Sequence, residues 1–159
     1  MAAAALLLIC TFYFALDRKV SSKVIFEEYY QAYDGVMVPR GDDDLLKEGI
    51  EAYNAEAYSK ALDLLQEESD SDLTRGQRQL LIANCYLALS QPEKALEWLE
   101  KLSGSEGSNI FYNQQWYLAL TYLLLDEPVK AKIILEKIEA SNSIYAPKAK
   151  QLLEEPVFK

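Results

Sequence analysis

Two acidic clusters are the only places where side chains are dense enough to hold a hard cation: Asp42-Asp43-Asp44 and the run Glu67-Glu68-Ser69-Asp70-Ser71-Asp72. A calcium loop alternates its acids, turns on a glycine at the sixth position and closes with a glutamate at the twelfth. Neither cluster follows that pattern. The first reads as an N-cap with favourable first-turn charge, and the second as a solvated loop between helices. The chain contains no histidine, which removes the commonest general base and the commonest metal ligand together. A serine nucleophile would then need a lysine or carboxylate as its base, and no spacing marks one out. No glycine-rich phosphate loop occurs, and Gly104-Ser105-Glu106-Gly107 reads as a connection between units. Cys10 sits in an apolar run and Cys85 in an apolar helical pattern, so neither suggests a disulfide framework. The expectation is a protein with no catalytic, cofactor-binding or metal-ligating residues, and not an enzyme.

The elements around these residues must explain the chain instead. Its 159 residues leave room for one modest domain and an appendage. The formal charge of −9 is local: residues 41–72 hold eleven acids against two bases, whereas residues 1–40 and 73–159 are each balanced. Without a basic stripe to neutralise phosphates, a nucleic-acid partner is excluded.

Ala2 to Leu16 reads AAAALLLICTFYFAL, fifteen residues without a charge, ending at Asp17-Arg18-Lys19. At 1.5 Å per residue such a helix spans roughly 22 Å, against a hydrocarbon core of about 30 Å. The run reads as a transmembrane anchor, clipped at its start. A signal peptide would begin with a basic segment and end in small residues, and a lipoprotein site at Cys10 would need a small residue where Leu8-Ile9 stands. The expected placement is therefore single-pass in a membrane. Arg18, Lys19 and Lys23 after the run favour a cytoplasmic body.

The chain also repeats itself. Tyr58-Ser59-Lys60-Ala61, Pro92-Glu93-Lys94-Ala95 and Pro128-Val129-Lys130-Ala131 place alanines 34 and 36 residues apart. Twelve residues before each alanine stands a small residue (Gly49, Ala83, Ala119), and four after it a leucine (Leu65, Leu99, Leu135). Each unit reads as two amphipathic helices whose small residues mark the crossing, where axes approach toward the short end of the usual 8–10 Å range. Pro92 and Pro128 suit the first helical position, where the missing N–H costs nothing. Since one hairpin cannot bury its apolar face, the units must stack. A half-unit from Ser141 through Leu153, with Lys148, Lys150, Glu154 and Glu155 on one side, reads as a solvating cap. Helices are expected at about 44–55, 57–68, 74–89, 92–103, 110–125, 128–140 and 144–154.

This period, with its small residue, alanine and large apolar positions and aromatics at Tyr53, Tyr86 and Tyr122, resembles the tetratricopeptide repeat over residues 44–140. The resemblance implies an all-α fold: a right-handed solenoid of about three helical hairpins and a C-terminal capping helix, preceded here by the N-terminal transmembrane helix. The expected organisation is 1–16 anchor, 17–41 juxtamembrane helix and extended linker, 42–140 repeats, and 141–159 cap and tail. Anchor, aromatic segment, an extended Pro39-Arg40-Gly41 stretch and then repeats also resemble membrane-anchored bacterial repeat proteins, a likeness that implies a periplasmic body.

In such repeats the first helix of each unit lines a concave groove. The resemblance places Leu46, Ile50, Tyr53 and Asn54, then Leu80, Asn84 and Leu87, then Trp116, Leu120 and Leu123 on that surface. Burial beneath neighbouring helices or a second copy is the competing reading, and for Trp116 the two stand level. A carboxylate clamp is not expected, because Lys47 and Asn84 match its pattern but Ile50, Leu81 and Tyr117 do not. Upstream, Ile25, Phe26, Tyr29, Tyr30 and Tyr33 make one helical face, read as a cap on the first repeat's exposed flank. The functional expectation is a membrane-anchored interaction scaffold that binds an apolar or amphipathic protein segment in its groove. The alternative is a structural module that forms homo-oligomers within a larger membrane-associated assembly, with no free peptide ligand.

Overall fold

The computed structural model describes residues 21–34, 44–67, 72–102 and 107–159. Among them every regular element is helical: α1 Ser22–Tyr29, α2 Asp44–Asn54, α3 Tyr58–Leu65, α4 Asp72–Ala88, α5 Pro92–Lys101, α6 Asn109–Leu124, α7 Pro128–Glu139 and α8 Ala146–Leu153, then a 3-10 turn at Pro156–Phe158. The fold class is all-α. From α2 onward, each helix starts and ends within three residues of the position its repeat register implies.

The most extensive helix contacts join α2 to α3, α4 to α5 and α6 to α7, so three hairpins follow one another, and α8 packs on α7. Ala61, Ala83, Ala95, Ala119 and Ala131 are completely buried at these crossings. At Gly49 a Cβ would stand 2.7 Å from Leu65 Cδ2, so α2 and α3 meet with no room for a methyl group. Leu46, Ile50, Leu65, Leu80, Leu99, Leu120 and Leu135 fill the core around them.

The three hairpin turns share one backbone device. Glu56, Ser90 and Asp126 have φ of 57°, 55° and 57°. Their N–H groups bond the carbonyls of Tyr53, Leu87 and Leu123, while the next residues, Ala57, Gln91 and Glu127, reach back to the carbonyls of Ala52, Tyr86 and Tyr122. This is the Schellman closure, in which one left-handed residue lets two otherwise orphaned helix carbonyls be satisfied. Glycine is its usual occupant, because other residues in that region bear a Cβ penalty. Here Glu, Ser and Asp stand in its place, which hid the motif from a search for glycine. Pro92 and Pro128 open α5 and α7 directly after two of these turns.

The expected single-pass membrane placement is corrected. Among the described residues no helix is long and apolar enough to cross a membrane. The longest, α4, has 17 residues and the most apolar, α6, has 16, where a span takes about 20. The run Ala2 to Leu16, the extended stretch through Gly41 and the aspartates Asp42 and Asp43 lie outside the described residues.

Candidate functional site

Apart from Asn54 the expected groove residues are buried, and Leu46, Ile50, Leu80 and Leu120 belong to the core around the hairpin crossings. Leu46, Ile50, Tyr53, Leu80, Asn84, Leu87, Trp116, Leu120 and Leu123 are all buried, Tyr53 the most exposed of them at 4 %. Asn54 alone is exposed, at the end of α2. The open apolar groove implied by the resemblance is thus closed in this structure.

One cover is α1, whose formation is locally encoded. Ser21 caps it by accepting the Lys23 N–H, and Ile25, Phe26 and Tyr29 recur on one face and are buried. Its expected seat on the first hairpin's flank is also corrected, since its main helix contact is with α6. Ser22 Oγ donates to Asp126 Oδ1 at 2.8 Å, beyond the C-terminal end of α6. The backbone turns extended at Tyr30, ending the helix, and frees the Gln31 carbonyl to accept from Tyr117 Oη at 2.9 Å, in the middle of α6. Low numbers of α1 therefore meet high numbers of α6, and the two helices run antiparallel.

Neighbouring elements flank this pair on both sides. Tyr30 Oη donates to the Asn84 carbonyl of α4 at 3.3 Å. Opposite it, Tyr29 Oη donates to Glu155 at 3.2 Å, and Lys148 Nζ of α8 donates to Gln31 Oε1 at 3.2 Å. Thus Lys148 and Glu155, expected on a solvated cap, face α1. Aromatic rings close the seat: Phe26 stacks on Tyr30 with centroids 4.8 Å apart, and Tyr30 and Tyr33 meet the Tyr117 ring edge-on at 6.3 and 6.4 Å. Trp116 has a separate cover, the ring of Tyr145 stacked on it at 5.0 Å. Tyr145 in turn donates to Asn113 Oδ1 at 2.5 Å. Beside this stack, a cleft of about 560 Å³ is lined by Tyr33, Asp34, Tyr112, Asn113 and Tyr145.

The electrostatics follow from this enclosure. Burial, then the hydrogen bond to Glu155, pushes Tyr29 from the usual 10 up to about 12. Burial likewise raises Tyr145 to about 12, and it raises Tyr30, Tyr53 and Tyr117 strongly. The Cys85 thiol is buried and pushed up to about 12, which leaves it protonated and unreactive. Among the described residues the buried Asn84 Oδ1 has no hydrogen-bond partner. The Asn84 amide is otherwise engaged, Nδ2 donating to the Leu80 carbonyl one turn back. A buried acceptor left in this way costs about 1–3 kcal/mol.

The arrangement is one of buried aromatic rings, apolar side chains and hydrogen-bonded hydroxyls. Among the described residues no group of three or more His, Cys, Asp or Glu side chains could hold a metal ion. Along α6 it also carries a packed helix, α1. Sequence reasoning found the apolar character of both helices but missed that one packs on the other. It also missed Gln114, whose buried Nε2 donates to the carbonyls of Leu99 and Leu102 at 2.6 and 2.9 Å and closes the end of α5. No protein-family model, curated protein or solved structure matches the chain.

Proposed function

We propose that the chain is an interaction scaffold of tetratricopeptide type. In this reading its three hairpins and capping helix stack as a right-handed solenoid, and its inner face receives an amphipathic helix from a protein partner. The 34- and 36-residue spacing of the buried alanines supports the repeat assignment, and so does the same spacing of the left-handed residues 56, 90 and 126. The observation that carries the function is the seat of α1, where an apolar helix face lies along α6 between α4 and α8, held at its rim by hydroxyl hydrogen bonds. This is the helix-in-groove mode of recognition, with helix anchors at Ile25, Phe26 and Tyr29.

The test is to supply that helix in trans. A chain of residues 35–159, which lacks α1, should bind a labelled peptide of residues 21–34 saturably in fluorescence anisotropy. A truncated chain that keeps its helical circular dichroism yet ignores the peptide would sink the reading.

A structural role in self-association is the second reading. It rests on Val129 and Ile133, one turn apart on α7 and 72 % and 51 % exposed. A full chain that sediments as a monomer at all concentrations would remove it.

A further inference from the structure

The helix that fills the inner face belongs to the chain itself, and its seat differs from the contacts inside the hairpins. Buried alanines and leucines join the hairpin helices. By contrast, α1 is held by a ring of polar bonds to side chains and carbonyls 54 to 126 residues away in sequence. Beneath it lies Asn84 Oδ1, buried and, among the described residues, without a partner, so α1 leaves unused a hydrogen-bonding group that the surface presents. Val24 of α1 is 52 % exposed, and residues 30–43 join the helix to α2.

We propose that α1 is a resident self-ligand that keeps the inner face closed, and that the partner is a helix of α1's own class which displaces it. Such a helix carries aliphatic and aromatic residues at the spacing of Ile25, Phe26 and Tyr29, with hydroxyl or amide groups along its edge. A partner that also bonds Asn84 Oδ1 gains a contact that α1 lacks, and so wins the exchange. The inference rests on the helix-binding reading above and adds to it a closed state and the chemistry of the competitor. Since binding requires the open form, apparent affinity falls by the fraction of molecules that are closed.

The full chain tests this with a labelled peptide of residues 21–34 as the probe. In a Cys10→Ser background, Ser22→Cys with Asp126→Cys places a thiol on each side of the contact where Ser22 Oγ and Asp126 Oδ1 now stand 2.8 Å apart. Exchange with one glutathione disulfide then forms the bond that ties α1 to its seat, the two thiol hydrogens leaving on two molecules of reduced glutathione. The oxidised form should bind the peptide at least roughly tenfold more weakly than the same protein after reduction. Phe26→Ala with Tyr30→Ala, which removes the stacked pair, should bind at least roughly tenfold more tightly than the wild type. If the second variant does not fold, the oxidised and reduced forms of the first decide alone. Equal binding by those two forms would overturn self-occlusion while leaving the helix-binding reading intact. No binding by any folded form would remove both. A release variant that pairs into a dimer in the absence of peptide would overturn the proposal in favour of a second copy as the occupant.

Discussion

The hairpin crossings and the α1 seat are both buried helix contacts, yet they solve different problems. At the crossings, Gly49 with Leu65, and the buried alanines 61, 83, 95, 119 and 131, bring backbones together without polar atoms or spare volume. Such contacts tolerate nothing larger and have nothing to exchange. The α1 seat is built from tyrosines whose rings are buried and whose hydroxyls find carbonyls or carboxylates at the rim. Its bonds can be replaced one for one by water or by another helix. The difference teaches that equal burial can hide different chemistry: close apolar contact in one region, exchangeable hydroxyl bonds in the other.

The largest effect should come from filling a crossing. Ala95→Leu puts three extra carbons where no space exists and is expected to destabilise by about 3 kcal/mol, the upper part of the overpacking range. Urea unfolding followed by circular dichroism would measure it, and an unchanged midpoint would mean that Ala95 is not at a close contact. Gly49→Ala should act in the same direction but more weakly, since Leu65 alone must move.

Alkaline pH should then separate the two regions. Tyr29 rises from 10 to about 12 because its seat is buried and faces Glu155. A group raised in the folded state stabilises fully below its unfolded pKa and loses that contribution as pH climbs through the folded value. The α1 seat should therefore hold below pH 10 and fail as pH approaches 12, while crossings made of alanine and leucine have no such dependence. Tyrosine absorbance and α1 hydrogen exchange, followed together, would show whether ionisation and release coincide.

Asn84→Leu should raise stability by about 1 kcal/mol, because it removes a buried oxygen that has no partner. A loss of stability would mean that Asn84 Oδ1 is satisfied in solution. The smallest effect belongs to the turns. Ser90→Gly and Glu56→Gly should each stabilise by about 0.5–1 kcal/mol by relieving a left-handed Cβ. Asp126→Gly should gain less, since it also gives up the hydrogen bond from Ser22. Three thermal melts would rank them.

What was legible in the sequence follows the same division. Period, small residues and proline starts act within one hairpin, and they located α2 to α8 before any coordinates. The amphipathic face of α1 was also plain, because Ile25, Phe26 and Tyr29 lie in one short segment, but its extension to Tyr30 and Tyr33 is corrected, since the helix ends at Tyr29. Its docking was not, since contact between Ser22 and Asp126 spans 104 residues and leaves no local periodicity. For the same reason the groove was read as open: Leu120 and Asn84 have the types of a binding surface, and type says nothing about which distant segment lies on top. Trp116, evenly balanced between surface and core, was decided by Tyr145, a residue of the next unit.

The tether between α1 and α2 has a consequence of its own. Residues 30–43 separate α1 from α2 in sequence, and a short covalent connection sets an effective concentration on the order of millimolar. A free helix making the same contacts as α1 would have to reach that concentration merely to share the seat. Weak and generic amphipathic helices are therefore excluded by arithmetic alone, without any repulsive contact. In the exchange we propose, the connection of fourteen residues sets the threshold that a partner helix must exceed.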